Sequence, residues 1–386
     1  MKFASLGEIA TIERRSVRPE DICDGTIYVG LENIVSGGDL TSVGTVANGD
    51  LASSKFVFSQ DHILYGKLRP YLAKIAVPDF DGVCSTDILP IRVGQDMDKM
   101  FVAHYLRQSH VVEQANGLAA GANLPRVSPT SLATIQIPML SLLEQRRIAA
   151  ILDKADELRA KRRQAVAHLD ALTQSIFHSM FGDPSKAEGG RRLEELLASI
   201  DSGTSPVSED RPAAPDEWGI LKVSAVTTQT YIASENKALV NSEPNANNEV
   251  HAGDVLFTRK NTPKLIAAVA IVRHTRPKLL LPDLVFRLNI RDRTVLDPEY
   301  LGAVMAYPTK RASVQRLAGG SAASMSNISK SKLATVRIPV PSLELQQTFA
   351  TRVAAVERLK ETHRKHLVEL DALFSSLQSR AFKGEL

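Results

Sequence analysis

The sequence predicts an α+β chain made of two mixed α/β domains, each followed by a long helix, with the two helices pairing as an antiparallel coiled coil. Three observations predict this fold class. Residues 132–172 match residues 333–373 at one constant offset of 201, without a gap. Two long segments contain no Pro or Gly and repeat apolar residues in steps of three and four. The segments ahead of them contain short β-rich runs between turn-forming residues.

The internal repeat establishes the twofold organisation. The tetrapeptide LDAL occurs at 169–172 and again at 370–373, and the tripeptide LAT occurs at 132–134 and 333–335. Matches this far apart in one register indicate a duplicated unit. Upstream the matches are weaker: residues 6–9 align with 193–196, 61–65 with 254–257 at an offset of 193, and 87–89 with 283–285 at 196. The changing offset predicts insertions in surface loops of the second copy.

The two helices are the clearest local prediction. Ser141 and Glu144 form a capping-box pattern at the start of the first helix, and Gly182 followed by Pro184 predicts its end. Forty-one residues at about 1.5 Å each predict a rod of roughly 60 Å. We therefore divide the chain into a first domain (1–140), a first long helix (141–182), a second domain (183–341) and a second long helix (342–386).

The helical apolar stripe follows a repeat of 3.5 residues, which is typical of coiled coils. The alternative is an amphipathic helix packed on its own domain. The positions expected in the coiled-coil core or against a partner are Ile148, Ile151, Leu158, Leu169, Leu172 and Ile176 in the first helix, and Phe349, Val356, Leu359, Leu370, Leu373 and Leu377 in the second.

Composition excludes several classes of protein. Two cysteines cannot build a disulfide framework or a four-thiolate zinc site. The N-terminus shows no secretory signal and no stretch of 18 apolar residues occurs, so we expect a soluble cytoplasmic protein. The net charge of +4 combines a net −3 over residues 1–140 with a net +5 over residues 191–341. Only local basic clusters can therefore argue for nucleic acid.

The sequence contains no convincing reaction centre. There is no phosphate-binding loop, no nucleophile elbow and no convincing metal-ligand spacing, so we expect neither an enzyme nor a metal site. His363 and His366 could share a metal, but a polar layer in the coiled coil is the better interpretation. Asp216, Glu235 and Lys237 fit a permissive nuclease pattern that could hold magnesium, which leaves a nuclease as a weak alternative.

Basic residues recur at matching places in the two copies. Such side chains contact phosphates, and Arg and Asn can also read guanine and adenine. Solvated surface loops are the alternative for each cluster alone, but the recurrence favours DNA contact. The residues expected to face DNA are Lys67, Arg69 and Tyr71 in the first copy and Arg259, Lys260 and Asn261 in the second. A weaker prediction adds the loops before each repeated strand, with Asn123, Arg126, Ser326 and Asn327.

Several segments resemble one known family. The runs IQIP (135–138) and LEQRRIAAIL (143–152) are similar to the strand-then-helix signature of type I restriction-modification specificity (S) subunits. Further stretches that resemble the family are YVGLENI (28–34), ILYGKLRPYL (63–72) and AFKGEL (381–386). The resemblance covers essentially the whole chain, although the second helix start matches less well.

The resemblance implies a function. In this family two target-recognition domains each read half of an interrupted, bipartite double-stranded DNA site. The long helices fix the spacing and dock two modification methyltransferase subunits. Those partners bind S-adenosylmethionine and methylate adenine, and separate restriction (motor) subunits cleave DNA. The S subunit itself binds no cofactor and is not catalytic. A two-headed protein scaffold without DNA sequence preference is the alternative from another class.

Overall fold

The computed structural model describes residues 2–187, 189–240, 242–319 and 325–386. The chain divides into two compact units. Unit 1 consists of Met1–Arg163 with Lys365–Leu386, and unit 2 consists of Gln164–Arg364. Each unit therefore contains one globular part together with a segment of each long helix.

The globular part of unit 1 contains short strands and short helices. Its strands are β1 (Lys2–Ser5), β2 (Ala10–Ile12), β3 (Ser16–Val17), β4 (Thr26–Val29), β5 (Gly44–Val46), β6 (Lys55–Phe58), β7 (His62–Gly66), β8 (Ile75–Ala76), β9 (Gly82–Cys84), β10 (Ile88–Val93) and β11 (Gln136–Met139). Its helices are α1 (Leu6–Ile9), α2 (Lys99–Leu106), α3 (Ser109–Gly117) and α4 (Pro129–Leu132). Helix α5 (Leu142–Phe181) follows and continues into unit 2.

Three sheets organise unit 1. Strands β2-β10-β7-β8 form a four-stranded sheet, β3-β6-β9-β4-β5 form a five-stranded sheet, and β1 pairs with β11. The central strand β7 is buried on both faces: Ile63 and Tyr65 pack in the core with α2 and α5, while Leu64 packs in a second core with Val29 and Phe58. Strands buried on both faces read as continuous apolar runs.

Unit 2 repeats this plan. Its strands are β12 (Arg191–Arg192), β13 (Leu197–Ser202), β14 (Ser208–Glu209), β15 (Gly219–Leu221), β16 (Asn236–Leu239), β17 (Val255–Thr258), β18 (Lys260–Asn261), β19 (Val269–Ile271), β20 (Leu279–Leu280), β21 (Val285–Ile290), β22 (Ser326–Asn327) and β23 (Arg337–Ile338). Its helices are α6 (Leu193–Leu196), α7 (Ser224–Thr227), α8 (Pro298–Ala306), α9 (Pro308–Gln315), α10 (Lys330–Ala334) and the long α11 (Leu343–Lys383), which ends in unit 1.

The sheets of unit 2 match those of unit 1. Strands β13-β21-β17-β19 correspond to β2-β10-β7-β8, and β12-β23 corresponds to β1-β11. The parallel pair β15–β20 corresponds to β4–β9. The largest core of unit 2 lies between the β17 sheet, α8 and the long helices, and includes Phe257, Phe286 and Tyr300.

A buried glutamine joins each long helix to its globular part. The Gln145 side chain accepts a hydrogen bond from the Asp98 backbone N–H (2.8 Å) and donates to the Leu140 carbonyl (2.9 Å). The Gln346 side chain makes the same two hydrogen bonds: it accepts one from the Asp297 N–H (2.9 Å) and donates one to the Pro341 carbonyl (2.8 Å). A buried amide is stabilised only when its polar atoms are paired, so this clamp fixes how each helix leaves its domain.

The two long helices pack antiparallel within each unit. In unit 1 the start of α5 packs with the end of α11, as shown by Ile148 and Phe382 in one core. In unit 2 the end of α5 packs with the start of α11, where the Phe177 and Phe349 rings lie 5.6 Å apart. Two mixed α/β domains with a paired, antiparallel helical segment are the fold class that the sequence predicts, and that prediction is confirmed.

The core positions of the strands correct the sequence alignment by one residue. Leu64 and Ile88 pack together in the second core of unit 1, and Leu256 and Val285 pack together in one core of unit 2. The matching offsets are therefore 192 and 197, whereas the sequence comparison gives 193 and 196. A slip of one residue moves every side chain to the opposite face of a strand.

Helix α5 ends where Gly182 adopts φ +70°, as the glycine signal predicts. At its start only half of the capping box forms. The Glu144 N–H donates to the Ser141 Oγ (3.2 Å), but the Glu144 carboxylate binds Arg147 instead (2.9 Å). Among the described helices none is long and apolar enough to cross a membrane.

Candidate nucleic-acid interface

Two loops of unit 1 bring most of its predicted DNA-facing residues together. We call residues 67–73 the strand-end loop, because it follows β7, and residues 120–126 the hairpin loop. The Arg69 N–H donates to the Pro125 carbonyl (2.8 Å), and the Val127 N–H donates to the Lys67 carbonyl (3.0 Å). These bonds hold the two loops side by side, so residues more than 50 positions apart share one surface.

The strand-end loop has an unusual backbone. Arg69 adopts φ +52° and Ala73 adopts φ +46°, in the left-handed region that non-glycine residues rarely occupy. Local strain of this kind persists only where surrounding contacts hold it, and it is common at functional sites. The loop leaves the Arg69 side chain exposed, and Tyr71 on the following turn is 52% exposed. Both can reach a ligand without rearrangement.

The hairpin loop is closed at its base by a reciprocal pair of backbone hydrogen bonds. The Ala120 N–H donates to the Arg126 carbonyl and the Arg126 N–H donates to the Ala120 carbonyl, both at 2.9 Å. Gly121 turns the chain at φ +108°, and a Cβ there would lie 3.0 Å from the Leu124 carbonyl oxygen. Asn123 is exposed in this turn.

A carboxylate lies between the two basic side chains of unit 1. The Asp87 Oδ1 is 3.5 Å from the Lys67 Nζ and 3.5 Å from the Arg126 Nε. All three side chains are partly exposed, so the energy of each ion pair is small. The shared carboxylate nevertheless offsets one of the two positive charges, which lowers the local potential that a phosphate would meet.

Unit 2 places equivalent loops at the same position. Its strand-end loop comprises residues 259–266 and its hairpin loop residues 319–327, of which 320–324 lie outside the described residues. The Ile328 N–H donates to the Arg259 carbonyl (2.8 Å), which matches the Val127 to Lys67 bond of unit 1. Gly319 and Asn327 close the hairpin with reciprocal bonds of 2.9 and 3.0 Å. The duplication therefore extends to the backbone hydrogen bonds that join the described ends of these loops.

The predicted residues of unit 2 form one small ladder. Lys260 pairs with Asn327, and Asn261 pairs with Ser326, in the antiparallel strands β18 and β22. The Asn261 Nδ2 donates to the Thr227 Oγ1 (3.3 Å), and its Oδ1 accepts the Thr262 N–H (2.8 Å). By the same register Asn327 corresponds to Arg126 of unit 1.

Arg259 occupies the position of Lys67 but has different neighbours. Its guanidinium lies 5.3 Å from the Phe286 ring centroid, and the Lys330 Nζ lies 5.8 Å from the same centroid. Its Nε is buried without a hydrogen-bond partner among the described residues. In the described part of the chain no carboxylate oxygen comes within 4 Å of the Arg259 or Lys260 side chains. The Phe286 ring supports the Arg259 and Lys330 cations without neutralising them.

Sequence reasoning missed Asp87 and Phe286 as parts of these sites. Asp87 precedes a buried strand, and Phe286 lies on one. Their contacts with the basic loops join residues that are not neighbours in sequence. The only available signal was the recurrence of the basic clusters themselves.

Comparison with known proteins shows which family the chain resembles. The model of the type I restriction modification DNA specificity domain matches residues 1–168. The chain is 31% identical over 157 residues to the type I restriction enzyme EcoEI specificity subunit of Escherichia coli, which covers 40% of this chain and 26% of that protein. The first part of the chain is therefore similar to the type I restriction modification DNA specificity domain. The EcoKI specificity subunit of Escherichia coli strain K12 is 24% identical over 319 residues, covering 74% of this chain and 65% of that protein.

Solved structures support the same fold. The S subunit of a type I restriction-modification system from M. genitalium is 15% identical with a TM-score of 0.60, covering 99% of this chain and 96% of that chain. A chain from a structure of type I R-M complex assembly and conformational transition is 22% identical with a TM-score of 0.54, covering 100% and 98%. The chain spans between 26% and 65% of the length of the curated specificity subunits that it matches.

The predicted coiled-coil and partner positions differ widely in burial. Ile148, Phe349 and Val356 are buried, and five more are half-buried: Ile151, Leu169, Ile176, Leu370 and Leu377. Four leucines are exposed: Leu158, Leu172, Leu359 and Leu373. These four are not covered within the described chain, so a role for them at a partner surface stays a prediction.

An ion cluster accompanies the helix pair in both units. In unit 1 Arg159 binds Asp156 on its own helix and Asp371 on α11, the latter at 2.6 Å. The Arg159 guanidinium also lies 4.4 Å from the Phe374 ring centroid.

Unit 2 has the matching cluster at an offset of 201. Lys360 binds Glu357 on its own helix (2.8 Å) and Asp170 on α5 (2.6 Å). Its side chain is 6% exposed, whereas that of Arg159 is 18% exposed. Ion pairs between two helices fix their register, because a shift by one turn separates the charges.

The residues of the nuclease alternative do not converge. Glu235 accepts a hydrogen bond from the Ser224 hydroxyl (2.6 Å), and Lys237 pairs with Asp210 (3.4 Å). Asp216 is exposed. Within the described residues no group of three or more His, Cys, Asp or Glu side chains could hold a metal ion.

Proposed function

We propose that this chain is the DNA-reading subunit of a type I restriction-modification complex. In this proposal each globular domain reads one half of an interrupted, bipartite double-stranded DNA site. The observation that carries the proposal is the pair of basic loops, which recurs with the same backbone hydrogen bonds in units 1 and 2. The match of residues 1–168 to the type I restriction modification DNA specificity domain supports it, as does the similarity to a curated specificity subunit.

The loops contain the side-chain types that DNA recognition needs. Lys67, Arg69, Arg259 and Lys260 supply positive charge for phosphates, which contributes most of the affinity and none of the sequence selectivity. Asn123 and Asn261 carry amides that can bind adenine in the major groove. Tyr71 adds an exposed aromatic ring.

The proposal assigns different roles to the predicted segments of the chain. Residues 1–140 and 183–341 read DNA, while residues 141–182 and 342–386 set the spacing of the half-sites. The exposed leucines of α5 and α11 support docking of two modification methyltransferase subunits, since apolar side chains on a helix surface gain by being covered. Those partners would supply S-adenosylmethionine and methyl transfer, and motor subunits would supply cleavage. This chain would then perform no catalysis.

Methylation mapping tests the proposal directly. The chain is expressed with its cognate methyltransferase subunits in a host that lacks adenine methylation, and methylated adenines are mapped across the genome. The expected result is one motif of two specific blocks separated by a fixed non-specific spacer. Methylation without any sequence motif would overturn the proposal and favour the protein scaffold. Magnesium-dependent cleavage by the chain alone, lost in Glu235→Ala, would favour the nuclease.

A matched control separates the roles of the two domains. Combined Lys260→Ala and Asn261→Ala substitutions should alter only one block of the motif, because both residues lie in unit 2. The control combines Arg364→Ala and Lys365→Ala, at exposed positions of α11, and should leave both blocks of the motif unchanged.

A further inference from the structure

An exposed apolar side chain occupies the same position of the hairpin loop in both units. Leu124 is 43% exposed and Met325 is 48% exposed. The two residues are related by the offset of 201 that also relates the repeated strands and long helices. Single exposed apolar residues are common on protein surfaces. Their recurrence at one position in a duplicated loop is not explained by packing, because neither side chain is buried.

The geometry of unit 1 places Leu124 near the tip of a tight turn. The reciprocal hydrogen bonds between Ala120 and Arg126 close the turn. Leu124 therefore lies between the left-handed Gly121 and the Arg126 side chain. The next residue, Pro125, is fixed to the strand-end loop through its carbonyl, which accepts the Arg69 N–H at 2.8 Å. Backbone hydrogen bonds thus hold the loop that carries Leu124 next to Arg69 and Arg126.

Unit 2 holds Met325 in the same relation to its basic residues. Met325 directly precedes Ser326, which pairs with Asn261, and Asn327, which pairs with Lys260. Gly319 and Asn327 pair as Ala120 and Arg126 do, and the sequence between them is two residues longer than in unit 1. The apolar position is nevertheless kept next to the ladder of polar and basic residues.

We propose that Leu124 and Met325 insert between stacked base pairs, one in each half of the DNA site, when the neighbouring cations bind the phosphates. This inference rests on the proposed function and deepens it. Leu and Met are among the side chains that proteins use as wedges to unstack a base step. The surrounding charges select DNA as the occupant, because Arg69, Arg126 and Lys260 would bring the backbone phosphates against the loops.

The wedge would contribute to both specificity and chemistry. Unstacking is easiest at flexible pyrimidine–purine steps, so each wedge would favour such a step without a hydrogen bond to a base. Adenine methylation also requires the target base to leave the stack, and an opened neighbouring step reduces the cost of that extrusion. This chain would open the base step, and its methyltransferase partner would transfer the methyl group.

Fluorescence of 2-aminopurine tests the wedge. A duplex carrying the mapped motif contains 2-aminopurine at one step at a time, outside the methylated adenines, and is bound by the complex of the chain with its methyltransferase subunits. Fluorescence should rise above that of free duplex at one step in each half-site, because unstacking relieves quenching. Leu124→Ala should abolish the rise in one half-site only, and Met325→Ala in the other only. Each variant thereby serves as the control for the other.

Conservative variants and a modified duplex distinguish a wedge from a contact at the surface of the groove. Leu124→Met and Met325→Leu should retain the signal, because shape and apolarity are conserved. If the complex binds the motif but no step brightens, the wedge is wrong while the proposed function stands. Weaker binding to a duplex with uracil in place of thymine, without brightening, would indicate a contact with the thymine methyl group and would also overturn the wedge. Absence of any motif would overturn both proposals.

Discussion

Units 1 and 2 build the same pair of loops on the same strands but surround them with different charges. In unit 1 Lys67 and Arg126 share the carboxylate of Asp87. In unit 2 Arg259 occupies the position of Lys67 and lies over the Phe286 ring, while Asn327 replaces Arg126. The backbone hydrogen bonds that join the loops are thus retained while the charges around them differ.

The difference also follows the overall charge of the two halves. Residues 1–140 carry a net charge of −3 and residues 191–341 a net charge of +5. If both units bind DNA, we expect unit 2 to contribute more of the salt-sensitive affinity and unit 1 to depend more on directed contacts. The ion clusters of the helix pair show a second difference, since Lys360 is more deeply buried than Arg159.

The largest expected effect is on stability, at the ion clusters. Lys360→Met should lower the free energy of unfolding by about 2 kcal/mol, because it leaves the largely buried Glu357 with one cation fewer. Arg159→Met should cost about 1 kcal/mol or less, because its partners are half-exposed and solvent screens them. Urea unfolding followed by circular dichroism measures both. Lys365→Met, at an exposed position of α11, is the control. Equal losses for both clusters would contradict the comparison.

The next effect concerns DNA affinity. Arg259→Ala should reduce the slope of log K against log salt by about 0.9, the value for one lost phosphate contact. Lys67→Ala should reduce it less, because Asp87 already offsets part of that charge. Asp87→Asn should increase affinity by releasing Lys67 and Arg126. Fluorescence anisotropy with the mapped motif at several salt concentrations measures all three.

Asp61→Asn provides the matched control for Asp87→Asn. It also removes a negative charge from unit 1, but Asp61 pairs with Arg92 (3.2 Å) rather than with the basic loops. An equal gain in affinity for both variants would mean that net charge alone, and not the shared carboxylate, controls binding.

The sequence predicts much of this architecture because repeats and helices leave local signals. The offset of 201 correctly relates Gln145 to Gln346, whose hydrogen bonds are the same in both units. The strand register was harder. Ile63, Leu64 and Tyr65 are all buried, so β7 shows no alternation that could fix which residues share a face. The weak sequence match there was displaced by one residue.

The candidate site was predictable only as clusters of basic residues. Which cations remain available depends on contacts such as that between Arg126 and Asp87, which join residues 39 positions apart. Similarly, the heptad pattern identifies Leu158 and Leu359 as members of an apolar stripe, but periodicity does not reveal what covers them. Both side chains are exposed in the isolated chain.

The smallest expected effect is a pH dependence at matched polar clusters next to the β7 and β17 sheets. In unit 1 Glu13 binds His62 (3.0 Å) and Arg92 (2.8 Å), whereas in unit 2 Asp201 occupies the matching place and binds Asn289 (2.6 Å). Burial acts to raise the pKa of the Glu13 carboxyl, but the hydrogen bonds from His62 and Arg92 outweigh it and hold that pKa below its usual value of 4.5.

Because folding lowers the pKa of the Glu13 carboxyl, this group stabilises the folded chain at pH values at which it is ionised. The contribution is present above about pH 4.5 and is lost as the pH falls through the lowered pKa. Glu13→Gln should therefore be less stable than the parent chain near pH 6, by about 1 kcal/mol or less because the pair is partly exposed. The difference should shrink as the pH falls below about 4.5. Thermal unfolding across this range measures it, and a difference that grows in acid would mean that the ionised carboxylate does not stabilise this cluster.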